Sequence, residues 1–273
     1  MRLGISTSLN CSSANEWAET LAKNGLKSVV FPLDCNAPSD KIDEYVKAAA
    51  DNDLVIAEVG IWRNAIAMDS AEREANLEYS IKQLQLADYI GAKCCVNVAG
   101  AMGTRWDGGY KENYSDEAWK RTVHMIQEVI DSAKPKNAFF TIESMPWMIP
   151  SSPEDYLRLI DDVNRDEFSV HLDIINMINC PERYFMHEEF LEHTFELLGP
   201  QIKSCHMKDI RLLDDYTFQL RECPCGEGVF NLEKYVELAD KVNPEMPMII
   251  EHLTSDEQYF ESVRYVKNRL GGV

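Results

Sequence analysis

FFTIES (139–144), FSVHLDI (168–174), IKSCHMKD (202–209) and MIIEHL (248–253) are four apolar runs, each with an acidic or imidazole residue near its carboxyl end. Those residues are Glu143, Asp173, His206 and Glu251. Successive members lie 30, 33 and 45 residues apart. The first two intervals each match one strand–helix–strand unit. The third is longer because the stretch 211–230, read as a loop, follows the third run. Together the runs imply a ring of strands whose last residues converge on one divalent cation.

Working outward, four more apolar runs precede these: LGIST (3–7), SVVFPL (28–33), LVIAEVGI (54–61) and CCVNVAG (94–100). With the last run extended to 246–253, that makes eight candidate strands. Several are apolar throughout, as expected of parallel strands covered by helices. Amphipathic stretches alternate with them at 15–24, 69–90, 116–134, 154–163, 187–198, 231–242 and 255–269. Ser39, Ser115 and Ser152-Pro153 read as helix starts, and Gly25, Gly91 and Gly199 as left-handed helix ends. No linker, repeat or low-complexity segment divides the chain. The expectation is an α/β fold, a (β/α)8 barrel, with residues 1–273 as a single domain. An open doubly wound sheet is the alternative. The dinucleotide-binding version is weakened because no Gly-x-Gly-x-x-Gly follows the first run.

The chain's 273 residues, 45% of them hydrophobic, are ample for a buried core. A formal net charge of −19 repels phosphate backbones and anionic bilayers, so neither nucleic acid nor membrane is an expected partner. No apolar run approaches the ~20 residues of a membrane span. The start, MRLGISTSLN, has no cationic segment followed by an apolar one, so no secretory signal is read there. Eight scattered cysteines suit a reducing, cytoplasmic compartment. Cys223-Pro-Cys225 is too isolated for a zinc ribbon and reads as packing. A homo-oligomer is compatible with the sequence.

Three carboxylates and one imidazole form a mostly hard donor set, suited to Mn²⁺, Mg²⁺ or Co²⁺. Manganese is the first expectation because one nitrogen joins three oxygens, and Zn²⁺ is a further alternative. A helix cap or surface group is the bland account of any single strand-end acid. It does not account for four on consecutive strands.

Along nearly its whole length the chain resembles the xylose isomerase-like barrel superfamily, within the sugar phosphate isomerase/epimerase group. The resemblance rests on ESMPWMIP (143–150), HLDIINMI (171–178), HMKDI (206–210), the Gly226-Glu227-Gly228 turn and IIEHL (249–253). It implies Glu143, Asp173, His206 and Glu251 as metal ligands, with Glu143 and Glu251 doubling as acid/base groups. The implied activity is isomerisation or epimerisation of a sugar, cyclitol or related polyol by proton abstraction beside a carbonyl. Ketose epimerases of this group carry a substrate-holding histidine three residues after the metal aspartate. Here that position is Asn176. Endonuclease IV shares the fold but uses a histidine-rich, three-zinc cluster that this chain lacks.

Other substrate contacts follow from position. His171 shares a strand face with Asp173, and a core histidine is its alternative. Lys208 could neutralise an oxyanion or a carboxylate, or be a solvated strand-end lysine. Arg211 could meet an anionic substituent, although a surface role fits it better. Trp62 and Asn64 after the third run, and Trp106 after the fourth, could wall a sugar pocket or simply pack. The Gly226-Glu227-Gly228 stretch reads as a tight turn rather than a phosphate cradle. Two further functions stay open: a lyase or hydrolase that cleaves a keto-sugar glycoside by β-elimination, and a non-catalytic sugar-binding barrel or subunit.

Overall fold

The apolar runs become strands because they are short, rich in Val, Ile and Phe, and buried on both faces. The computed structural model describes residues 1–7 and 9–270. Residue 8 and residues 271–273 of the single-domain span lie outside them. In chain order the elements are β1 (Arg2–Ile5), α1 (Ala14–Lys23), β2 (Ser28–Val30), α2 (Ser39–Asp51), β3 (Val55–Gly60), α3 (Ser70–Ile90), β4 (Cys94–Val98), α4 (Asp116–Ala133), β5 (Phe139–Glu143), α5 (Pro153–Val163) and β6 (Phe168–Leu172). There follow α6 (Ile174–Met177), α7 (Pro181–Phe185), α8 (His187–Leu198), β7 (Ile202–Met207), β8 (Asp209–Leu212), β9 (Leu220–Cys223), α9 (Leu232–Val242), β10 (Pro247–Ile250) and α10 (Asp256–Arg269).

Eight strands pair in parallel in the order β1, β10, β7, β6, β5, β4, β3, β2. The ring closes where Lys27 N donates to Leu3 O and Ser28 Oγ donates to Arg2 O, both at 2.8 Å. The result is a nearly closed (β/α)8 barrel with helices outside. Each of the eight strands ends one to three residues before its apolar run does. The last residues of a run turn out of the sheet, and Asp173 and Glu251 leave with them. The stretch 211–230 is not a plain loop. β8 and β9 form an antiparallel hairpin over the barrel mouth, pairing Asp209 with Cys223 and Ile210 with Glu222.

Helix ends follow local chemistry. Ser115 and Ser152 accept hydrogen bonds from Ala118 N and Asp155 N, as capping residues should. Ser39 does not cap. It is the first residue of α2, behind Pro38. Gly91 adopts the expected left-handed turn at φ 72°, but Gly199 stays right-handed at φ −41° because a short 3-10 turn continues the helix. All eight cysteines are free thiols, and Cys223 and Cys225 are buried packing groups. Among the described residues, no helix is long and apolar enough to cross a membrane.

The barrel seam requires a glycine. A Cβ on Gly4 would lie 2.6 Å from Ser28 O and 2.5 Å from Ile249 Cδ1. The carbonyl is backbone and cannot yield without parting β1 from β2. Gly4→Ala should therefore cost about 1–3 kcal/mol. In a thermal melt the midpoint should fall by several degrees, whereas Gly91→Ala, which meets no atom within 4 Å, should show only the cost of its left-handed turn.

Candidate metal centre and active site

Parallel strands put all their carboxyl ends on one face of the ring, and four side chains meet there. Glu143 ends β5, Asp173 follows β6, His206 is the penultimate residue of β7, and Glu251 follows β10. All four are buried. His206 Nδ1 stands 3.0 Å from Glu251 Oε2, 3.3 Å from Glu143 Oε1 and 3.8 Å from Asp173 Oδ2. One ligand atom from each of the four lies within 4.8 Å of the others.

The strand ends are held by side chains from the outer helices. Tyr156 on α5 donates to Ile142 O at 2.8 Å, and Tyr235 on α9 donates to His206 O at 3.1 Å. These hydroxyls tie the outer helices to the carbonyl before Glu143 and to that of His206 itself. Asp173 does two jobs. It caps the short helix α6 by accepting from Asn176 N at 3.0 Å, and it turns its other oxygen to the cluster.

Lys208 sits beside the cluster, with its Nζ 2.7 Å from both Asp173 Oδ2 and Glu251 Oε1 and 2.9 Å from Glu222 Oε1. It is only 2% exposed. Burial alone would lower its pKa, but three carboxylates outweigh that and hold it charged. The same balance fixes the carboxylates. Burial favours neutral Glu251, yet His206 and Lys208 pull it well below the usual carboxylate range. Glu143 lacks the lysine. Burial, with Glu251 and Asp173 nearby, lifts it to about 8 against the pull of His206. The imidazole of His206 resists burial and is driven well above its ordinary value by Glu251, Glu143 and Glu58.

This donor set fits a divalent cation. Asp173 Oδ2 and His206 Nδ1 are buried and find no aligned hydrogen-bond partner, although both face charged neighbours. Lys208 meets only one side of the group, and a cation would meet the acceptors that face one another across His206. Glu143, Asp173, His206 and Glu251 would hold it.

The cluster opens into a cavity of about 360 Å³ walled by Trp62, Trp106, Met145 and His252, with Glu143 and Glu251 in its floor. The Trp62 indole stacks over His206, centroids 6.5 Å apart and planes 29° from parallel. Its backbone is left-handed at φ 52°, and a Cβ on Gly60 would lie 2.2 Å from its Nε1. A larger cleft of about 470 Å³ among Asn179, Arg183 and His193 contains no strand-end residue.

The remaining expected contacts divide. Trp62 and Trp106 line the cavity. Asn176 is buried beside the cluster and donates to Glu143 Oε1 at 3.1 Å and to Ser144 O at 2.9 Å. His171 is fully buried beneath the cluster, its ring centroid 4.1 Å from that of His206. Asn64 is buried and spends its amide on Ala101 O and Ile66 N. Arg211 is exposed on the hairpin, and neither it nor Asn64 lines the cavity. The Gly226-Glu227-Gly228 turn is claimed by Asp209, whose Oδ2 accepts from Gly226 N and Gly228 N at 3.0 Å each. Three neighbours escaped the sequence reading: Glu58, Glu222 and His252. Glu58 carried a usable signal, since an acid inside an apolar strand demands a partner. Glu222 carried none, because only the hairpin register brings it to Lys208.

A barrel with a candidate metal centre at the carboxyl ends of its strands is thus the class that the fold and the site define. The chain belongs to the xylose isomerase-like TIM barrel family, whose profile matches residues 18–269. Among solved structures it is similar to a xylose isomerase-like TIM barrel protein from Mycobacterium smegmatis in complex with magnesium: 20% identity, 95% of this chain and 89% of that one covered, TM-score 0.69. It is also similar to the probable 3-DHS dehydratase of Bacillus anthracis, with 16% identity, 98% and 100% coverage, and TM-score 0.75. A third is the 3-keto-D-glucoside 4-epimerase of E. coli, with 15% identity, 98% and 99% coverage, and TM-score 0.71. At these identities the likeness shows the fold alone. Among curated proteins, none matches this sequence.

Cation binding should release protons. Without a cation, Glu143 titrates near 8 and His206 is raised, so both hold protons at pH 7, while Glu251 and Asp173 are already ionised. A cation must displace those protons, so affinity should rise with pH, by up to about tenfold per unit for each proton released. Titration calorimetry with Mn²⁺ between pH 6 and 8, in two buffers of different ionisation enthalpy, reads both effects. A pH-independent affinity would contradict the assignment.

Proposed function

We propose that this protein is a divalent-metal-dependent isomerase or epimerase of a sugar, cyclitol or related polyol. The observation that carries the reading is the meeting of Glu143, Asp173, His206 and Glu251 in one cluster, two of whose members, Glu143 and Glu251, line a tryptophan-walled cavity. Mn²⁺ is the favoured ion, with Mg²⁺ next. The magnesium complex of the mycobacterial relative is consistent with a hard cation in this kind of barrel. When bound, the cation polarises a substrate carbonyl and acidifies the neighbouring C–H bond.

The chain's own residues do the rest. Trp62 and Trp106 offer flat apolar faces to the C–H side of a polyol. Glu143 and Glu251 reach the cavity from β5 and from the end of β10, so a carbon between them is flanked on two sides. One carboxylate takes the proton, and the electron pair of the broken C–H bond moves into the adjacent carbonyl. The other carboxyl, having taken a proton from solvent, returns it from the opposite face, which inverts the carbon. Return to the neighbouring carbon, with a proton passed from the hydroxyl oxygen to the former carbonyl oxygen, gives the isomer instead. His206 and Lys208 keep Glu251 ionised, and Asn176 steadies Glu143. The cavity shows no cluster of cations for a phosphate, which favours a neutral sugar.

Glu143→Gln and Glu251→Gln should each cut turnover about 10²–10⁴-fold. A polyol and ketose panel in D₂O reads it, with metal content measured alongside. A variant that keeps its metal and loses deuterium uptake supports an acid/base role. Full exchange in both variants would end the reading.

A second reading is favoured by one observation. An apolar recess of about 430 Å³, walled by Trp147, Ile175, Phe218 and Leu220, has Asn176 and Glu222 in its lining. Asn176 donates to Glu143, and Glu222 pairs with Lys208, so the recess adjoins the cluster. A keto-sugar glycoside could lodge its apolar aglycone there, and the same proton abstraction would then expel it by β-elimination. Incubation with Mn²⁺ and a chromogenic 3-keto-glycoside separates the two: free aglycone supports elimination, and an altered sugar alone supports isomerisation.

A further inference from the structure

We propose that Glu58, on β3, is a positioning residue that fixes which nitrogen of His206 faces the cation. The proposal rests on the metal-centre reading above and adds a residue that lies outside the quartet. A neutral imidazole carries its proton on one nitrogen and donates a lone pair from the other. His206 Nδ1 faces Glu251, Glu143 and Asp173. Its Nε2 faces away, 3.5 Å from Glu58 Oε2. A carboxylate at that position accepts an N–H and holds the proton on Nε2. Nδ1 is then left free to bind metal, and the ring becomes a stronger donor.

Glu58 is an acid set within an apolar strand. It is 1% exposed, in a strand whose neighbours Ile56, Ala57 and Val59 are all apolar and buried. β3 and β7 are separated by three strands, so its side chain reaches His206 across the barrel interior. Ser204 anchors it by donating to Oε1 at 2.6 Å. Ser204 and His206 are two apart on β7 and share a face, so one strand supplies both the anchor and the oriented ring. Oε2 has no aligned partner and points toward His206 Nε2. His171 closes the other flank, with Nδ1 3.7 Å from Oε1.

The same atoms admit a rival arrangement. Glu58, His171 and His206 each offer a ligand atom within 4.8 Å of the others and could hold a second cation. In that case Nε2 would be a ligand and not a donor. Metal stoichiometry separates the two: one ion per chain for a positioning role, two for the rival.

The test uses the full chain and its Glu58→Gln, Glu58→Leu and Ser204→Ala variants. Glu58→Gln is nearly isosteric and guards against misfolding of the leucine variant. Mn²⁺ affinity should fall about 10–100-fold in Glu58→Gln, further in Glu58→Leu, and less in Ser204→Ala. In Mg²⁺-loaded protein, ¹⁵N spectra of His206 should show the Nε2–H tautomer in wild type and a mixture in Glu58→Leu. A role in packing alone would not move the tautomer. Unchanged affinity and tautomer in both Glu58 variants, or two ions per wild-type chain, would overturn the proposal and leave the metal centre standing. A wild-type protein that binds no divalent cation would sink both.

Discussion

Three carboxylates crowd a space where water is scarce, and much of the molecule is arranged around that charge. Glu143, Asp173 and Glu251 stand at the ends of three separate strands, yet their oxygens come within 4.8 Å of one another. Repulsion at such distances is strong in a low-dielectric site. His206 and Lys208 offset it, and both are themselves too buried to survive without it. Removing one partner of such a set leaves a buried charge uncompensated and typically costs about 3–5 kcal/mol. Once protons leave Glu143 and His206 the set is left negative, and a divalent ion would offset that charge.

Holding these groups close requires stiff supports. Near the mouth, the strand carbonyls of Ile142 and His206 also meet side chains from outside the ring. Tyr156 and Tyr235 reach in from α5 and α9 to take them. Ser144 Oγ donates to Asp173 O at 3.0 Å and ties the β5 and β6 ends together. Each support comes from an element that a βα unit already supplies, so the barrel carries a rigid site without extra structure.

Much of this was legible in the sequence. The spacing of the apolar runs gave the strand count. The quartet stood out because a shared cation is the simplest reason for three acids and a histidine to end consecutive apolar runs. What stayed hidden depends on partners distant in sequence. His171 shares a face with Asp173, as its two-residue offset says, but sequence could not reveal that this face at His171 points below the mouth, into a pocket shared with Glu58. Asn176 follows Asp173 by three residues, and only the fold shows its amide engaged with Glu143. The hairpin was missed because Pro224 and a run of polar residues conceal two four-residue strands in a stretch without strong alternation.

That hairpin bears on how substrate choice can change while the chemistry is kept. Asp209 anchors its base through the amides of Gly226, Gly228 and Phe230, so the strands project from a fixed root. Pairing of Ile210 with Glu222 then carries a carboxylate to Lys208, and His252 meets the same carboxylate at 2.8 Å. The chain of contacts runs from the half-exposed His252 through Glu222 and Lys208 to Asp173 and Glu251. A change in the hairpin therefore reaches the charge balance of the cluster without touching a ligand. The quartet rises from barrel strands, whereas Phe218, Leu220 and Glu222, together with Trp62 and Trp106, sit on connections outside the ring. Loops of this kind are where barrel enzymes diverge in specificity. On the proposed function, the division would set proton chemistry on the ring and recognition on the connections around it.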